Sequence, residues 1–233
     1  MDIRIEGQIV EGLAAQVREQ LASAQDAARV FINSPGGAVD EGIAIYNALR
    51  AHKPGCEVIV DGFALSIASA IACAGKPVKA MSGATFMIHG PWTSSTGDAK
   101  AMRSTAEALD KVGEALVTIY AEKTGKSPDE LRTLMQAETW FTAEEAKAFG
   151  LVDEIATGRG DEADEGDTEP TEAPDESTAA MAAYAATHYR NTPARIQAMT
   201  QPQNAASILA AETKRRTDIR GIFAAHADAH RDI

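Results

Sequence analysis

Two cysteines in 233 residues cannot build a disulfide framework. Cys56 and Cys73 stand in no C-x-x-C pair and beside no His/Cys cluster, so the sequence calls for no zinc site, no other metal and no cofactor. Both read as plain thiols of a reducing compartment. An excess of basic charge is missing too: the net charge of -12 argues against non-specific binding to nucleic acid. No apolar run reaches the length of about eighteen residues that a membrane-spanning helix needs. The first residues alternate polar and apolar, without the basic and apolar regions of a signal peptide. A cytoplasmic protein, neither secreted nor membrane-embedded, is the expectation.

What is present divides into three parts. Residues 1–157 carry β-branched and apolar segments enough for one sizeable core. Residues 158–178 read as a disordered linker, because nine acidic and no basic residues fall between Asp161 and Glu176, punctuated by Gly166, Pro170 and Pro174. Residues 179–233 form an Ala-rich tail of net charge +3. Its composition predicts helices broken at Pro193 and Pro202, with too few large apolar residues to pack well on the body. Its basic cluster Lys214-Arg215-Arg216 is a solvated face or a contact for acidic surface.

The body alternates strand and helix. Residues 3–10 suggest a strand, 11–24 a helix with Leu13, Val17 and Leu21 on one side, and 28–33 a buried strand running into Ser34-Pro35-Gly36-Gly37. A helix follows with Val39, Ile43, Tyr46 and Leu49 on one face. Cys56 then sits in a turn, residues 58–60 form a strand, Gly62 a turn, and a small-residue helix runs from Ser66 to its closing Gly75. Such alternation predicts an α/β fold with a parallel sheet, whose loops at the carboxyl ends of the strands gather on one edge. Between Gly97 and Lys123, the residues Met102, Thr105, Leu109, Val112, Leu116 and Ile119 recur at steps of three and four and predict a long helix ended by Gly125. A further helix opens on Ser127-Pro128-Asp129-Glu130, with a capping box and proline in its first turn.

Three of the loops carry chemistry together. Ser66 at a helix start faces unpaired N–H groups that favour a nearby oxyanion, although capping is the commoner task of such a serine. Pro35-Gly36-Gly37 is a turn, or a place where bare backbone meets a substrate. A strand over residues 84–88 ends in His89, whose imidazole accepts a proton near neutral pH. Serine, glycine-rich loop and histidine at successive strand ends form a constellation that none of them forms alone.

Those residues carry a resemblance. The segments Ile32-Asn33-Ser34-Pro35-Gly36-Gly37, Gly62-x-Ala64-x-Ser66, Met87-Ile88-His89-x-Pro91 and Thr142-Ala143-Glu144-Glu145-Ala146 leading to Phe149-Gly150-Leu151-Val152-Asp153 resemble the Clp peptidase family in order and spacing, over about residues 3–155. The stretches from Asp40 to Asn47 and from Glu138 to Trp140 are most similar to its bacteriophage branch, the head maturation or prohead proteases.

The resemblance implies a ClpP/crotonase-type fold of stacked ββα units, a serine endopeptidase, and a homo-oligomeric ring of heptamer type, stacked in pairs through the long helix. It implies Ser66 as nucleophile, His89 as general base, and the backbone N–H groups of Gly37 and Ile67 as oxyanion hole. Where the family carries an aspartate, this chain has Glu138, and Asp153 and Asp129 are the other carboxylates considered for that place. Ser69 shares the helix face of Ser66, but the family register selects Ser66. The chain begins at its first strand, without a segment like the axial loop used against an ATPase, which favours cleavage independent of ATP. The reading is therefore a phage head maturation protease acting in the host cytoplasm, within or on assembling proheads, on capsid and scaffold precursors and on itself. A catalytically silent capsid or scaffold interaction protein of the same fold is the alternative, and a host-type peptidase serving an ATPase is the third.

Overall fold

A computed structural model describes residues 1–156 and 176–199 of the chain. The chain forms two compact units, one up to Glu165 and one from Gly166 onward.

The first unit begins with β1 (Asp2–Glu6), α1 (Leu13–Ser23), β2 (Ala28–Ser34), α2 (Val39–Ala51) and β3 (Cys56–Leu65). These alternate as the sequence predicts, and the three strands pair in parallel. Side chains alternate between buried and more exposed along β1 and along most of β2 and β3, so one sheet face is covered and the other carries charge. Arg29 bridges Asp2 and Lys79 bridges Glu57 on that outer face.

The first strand is shorter than the expected 3–10. Gly7 turns the backbone with φ 72°, and Ile9 returns as an isolated parallel bridge to Gly37. The buried face of α2 is also shifted, to Gly42, Ile45, Tyr46 and Leu49, leaving Val39 and Ile43 half-buried. Gly42 causes this: a Cβ there would overlap the Ile67 side chain, so the missing methyl lets α2 close on the next helix. Its neighbour Glu41 accepts the Ala14 N–H at 2.7 Å and so caps α1, whose own cap residue Gly12 has no side chain to offer.

The sheet forks along β3. Its first half, Val58 to Val60, pairs in parallel with β4 (Val78–Met81), which in turn pairs with β7 (Glu154–Ala156). Its second half, Phe63 to Leu65, pairs with β5 (Thr85–Ile88). Gly62 is therefore no turn, and Cys56 opens a strand. The strand continues through Gly62 because the Asn33 amide fills the space a Cβ would take and accepts the Phe63 N–H at 2.9 Å. This bond bridges the register shift between Ile32 and Ser34.

After β3 comes α3 (Ile67–Ala72), six residues long and wholly buried, shorter than the expected run to Gly75. Both cysteines are free and buried, and burial pushes the Cys73 thiol up to about 12.

The long helix appears as α4 (Ala99–Thr124), with Asp98 as cap and Gly125 closing it at φ 70°. Its buried residues are Leu116, Val117, Ile119 and Tyr120, so the predicted stripe is core only in its last third, and Met102 is exposed. Then come α5 (Pro128–Gln136), β6 (Thr139–Thr142) and α6 (Ala143–Phe149). Ser127 caps α5 through the Glu130 N–H, but the Glu130 carboxylate pairs with Lys126 and does not complete a capping box. The reciprocal box stands instead at Thr142 and Glu145, opening α6. Among the described residues no helix is long and apolar enough to cross a membrane.

The second unit holds α7 (Glu176–His188) and α8 (Ala194–Met199), separated near Pro193. The first of these starts inside the expected linker, at Glu176. The Thr192 hydroxyl donates to a carbonyl of Ala185 or Tyr189, which closes the corner. The rest of the linker and the tail beyond Met199, with its basic cluster, lie outside the described residues.

Candidate active site

The ends of β2, β3 and β5 bring the serine, the glycine loop and the histidine to one edge. Ser66 directly follows β3, and its N–H donates to the Met87 carbonyl at 2.9 Å, tying the end of β3 to β5. Its Oγ lies 2.7 Å from His89 Nε2. Its side chain makes no capping bond to α3, so the ordinary role of a helix-start serine is not the one it has here.

The backbone at Ser66 has φ 56° and ψ -130°. A non-glycine residue held there stores about 1–3 kcal/mol of strain, which persists only where the surroundings enforce it. Among the described residues just one other non-glycine residue has positive φ, and it is Glu138, at 53°.

Glu138 is 5% exposed and immediately precedes β6. The antiparallel ladder of β5 and β6 pairs Thr85 with Thr142 and Ile88 with Thr139. Carried one residue further, that register brings His89 and Glu138 to facing positions. The Gly90 N–H then donates to the Met135 carbonyl at 3.2 Å, so the chain leaving His89 stays against the end of α5. A carboxylate so buried is costly unless hydrogen-bonded, and the imidazole is the titratable group that the ladder sets across from it.

The other carboxylates are elsewhere. Asp129 is exposed and pairs with Arg132. Asp153 accepts the Val78 N–H at 2.7 Å and pairs with Lys123, joining α4 to the start of β4. Burial alone would raise its carboxyl, but Lys123 and the Val78 N–H hold it below the usual range.

The glycine loop is shaped by its own contacts. Ser34 Oγ accepts the Gly36 N–H at 3.1 Å. Ile9 N–H donates to the Gly36 carbonyl and Ala38 N–H to the Ile9 carbonyl. In such a parallel bridge the N–H of Gly37 itself points away from Ile9. Only glycine fits: φ is 150°, and a Cβ would overlap the Ile9 carbonyl oxygen. Ile67 opens α3, where helix geometry leaves the first N–H groups without intrahelical partners.

Ser69 is no second nucleophile. Its hydroxyl is buried and engaged with the Ser66 carbonyl at 2.6 Å, the Met87 carbonyl at 3.0 Å and the Tyr120 hydroxyl at 2.8 Å. Sequence reasoning missed Tyr120 altogether, since a tyrosine on the apolar face of a long helix reads as core.

Beside Gly90 a cavity of about 270 Å³ opens between α4 and α5, with Pro91, Leu109, Val117 and Met135 among its walls. Among the described residues no group of His, Cys, Asp or Glu could hold a metal ion.

The Clp protease family matches residues 1–159. Among solved structures the chain is similar to a point mutant of ClpP1 from Listeria monocytogenes, at 27% identity and a TM-score of 0.62, over 68% of this chain and 92% of that one.

Proposed function

Since the chain belongs to the Clp protease family, whose members are serine peptidases that assemble as rings, we propose that Ser66, His89 and Glu138 form its catalytic triad and that it is a phage-type head maturation protease. The observation that carries the triad is the 2.7 Å approach of Ser66 Oγ to His89 Nε2 from a backbone held at positive φ.

In this mechanism the Ser66 hydroxyl donates to Nε2, which requires the ring proton on Nδ1. As Oγ attacks the scissile carbonyl carbon, its proton passes to Nε2. Glu138 fixes the tautomer and stabilises the imidazolium without taking the proton. The N–H groups of Gly37 and Ile67 stabilise the oxyanion. Collapse breaks the C–N bond, the imidazolium gives its proton to the departing amine, and water repeats the sequence on the acyl-enzyme. His89→Ala is therefore expected to lower kcat more than Glu138→Ala, because one removes the proton acceptor and the other only its support. Steady-state hydrolysis of a peptide substrate measures the pair, and equal rates for Glu138→Ala and wild type would remove Glu138 from the triad.

The maturation role rests on the similarity of residues 40–47 and 138–140 to the phage branch. A protease that assembles beside its substrates, here capsid and scaffold precursors in the host cytoplasm, meets them without an unfolding machine, so cleavage is expected without ATP. The ring is proposed to be of heptamer type and stacked. The first half of α4, residues 99–113, supports this, for it contains no buried residue and presents Met102 half-exposed.

Self-processing is the companion expectation. The acidic stretch 161–176 separates protease from tail, and active protein should cut there and release the tail. Mass spectrometry of wild type beside Ser66→Ala after prolonged incubation at high concentration tests it. A wild-type chain that stays full length would sink self-processing.

A further inference from the structure

We propose that Tyr120 and Ser69 form a positioning pair that holds Ser66 in its reactive backbone conformation. The inference rests on Ser66 being the nucleophile. Ser69 Oγ meets the two carbonyls that define the turn, that of Ser66 at 2.6 Å and that of Met87 at 3.0 Å. The Met87 carbonyl already accepts the Ser66 N–H, and the Ser66 carbonyl accepts the Ser69 N–H at 3.0 Å. One buried hydroxyl thus sits where the serine-bearing end of β3 and the histidine-bearing end of β5 are pinned together.

Counting protons assigns the direction. Ser69 has one hydroxyl proton, and its oxygen meets two carbonyls and the Tyr120 hydroxyl. The shortest contact takes the Ser69 proton to the Ser66 carbonyl, which leaves Ser69 Oγ to accept from Tyr120 at 2.8 Å. The Tyr120 hydroxyl also lies 3.5 Å from the Ser66 carbonyl. Its ring is 1% exposed on the buried third of α4, so the donor is fixed in place.

Without the tyrosine hydroxyl, Ser69 Oγ loses the donor that fixes it, its proton can swing to the Met87 carbonyl, and the Ser66 carbonyl loses its strongest partner. That carbonyl belongs to a residue at φ 56°, which relaxes when released and carries Oγ away from His89. Neither Tyr120 nor Ser69 touches the reacting atoms, so the effect falls on the chemical step and leaves substrate binding alone.

The test is Tyr120→Phe, which removes one oxygen and keeps the ring, beside Ser69→Ala and the double variant. Rates are normalised to active sites titrated with a fluorophosphonate. Each single variant should lose about tenfold or more in kcat with KM within about twofold, the scale of one hydrogen bond read as a rate. The double variant should be no slower than the slower single, because the two hydroxyls act as one unit. Normalised kcat at the wild-type level, a loss confined to KM, or losses that multiply in the double variant would each overturn the pair. Wild type that takes up no label at Ser66 would instead overturn the serine peptidase reading on which the pair rests.

Discussion

Ser66→Ala is expected to abolish peptide-bond cleavage while the protein folds and assembles as before. The hydroxyl makes no capping bond to α3, its partner being His89, so its removal takes away a reactant and little else. A half-buried one-oxygen deletion of this kind costs at most about 1 kcal/mol of stability. Loss of the nucleophile, in contrast, removes several orders of magnitude in kcat. Thermal melting and sedimentation should match wild type, with the ring intact, and hydrolysis should fall to background. A variant still cleaving near the wild-type rate would return the nucleophile to open competition, though Ser69 is a poor heir with its hydroxyl committed to two carbonyls and a tyrosine.

The second large effect belongs to Gly37→Ala. The methyl group would be driven onto the Ile9 carbonyl oxygen, at a φ of 150° that alanine rarely adopts. The loop must move, and with it the Gly37 N–H proposed for the oxyanion hole. Losing one oxyanion donor costs about 10²–10³ in kcat. Gly7→Ala is the control, since Gly7 also has positive φ but a Cβ there meets nothing within 4 Å. Gly7→Ala should lower the melting temperature modestly and leave kcat unchanged. Gly37→Ala should lose kcat out of proportion to its stability. Comparable kcat in the two variants would mean the Gly37 N–H has no part in catalysis.

The legible and illegible parts of this chain differ for physical reasons. Strands β2, β3 and β5 are runs of β-branched and aromatic residues ending in a polar or glycine signal, so Gly37, Ser66 and His89 stood out as the residues that leave the sheet. Strands β4, β6 and β7 have four, four and three residues and were missed, whereas β5, equally short, stood out because it runs straight into His89-Gly90-Pro91. Gly62 was misread as a turn because what keeps it in a strand is the amide of Asn33, about thirty residues upstream. Glu138 is one of 34 acidic residues, and family register alone singled it out. Its burial, its positive φ and its place across from His89 belong to the β5–β6 ladder, which no local pattern announced. The Ser69–Tyr120 pair was invisible for the same reason, since it joins residues 51 apart.

The most direct measurement is peptide mapping after reaction with a fluorophosphonate, carried out on wild type and on His89→Ala. A single adduct on Ser66 in wild type, formed at a rate that collapses in His89→Ala, is the expected result. Folded, assembled protein that carries no adduct, or carries it on another residue, would contradict the assignment of Ser66 and His89 as nucleophile and base.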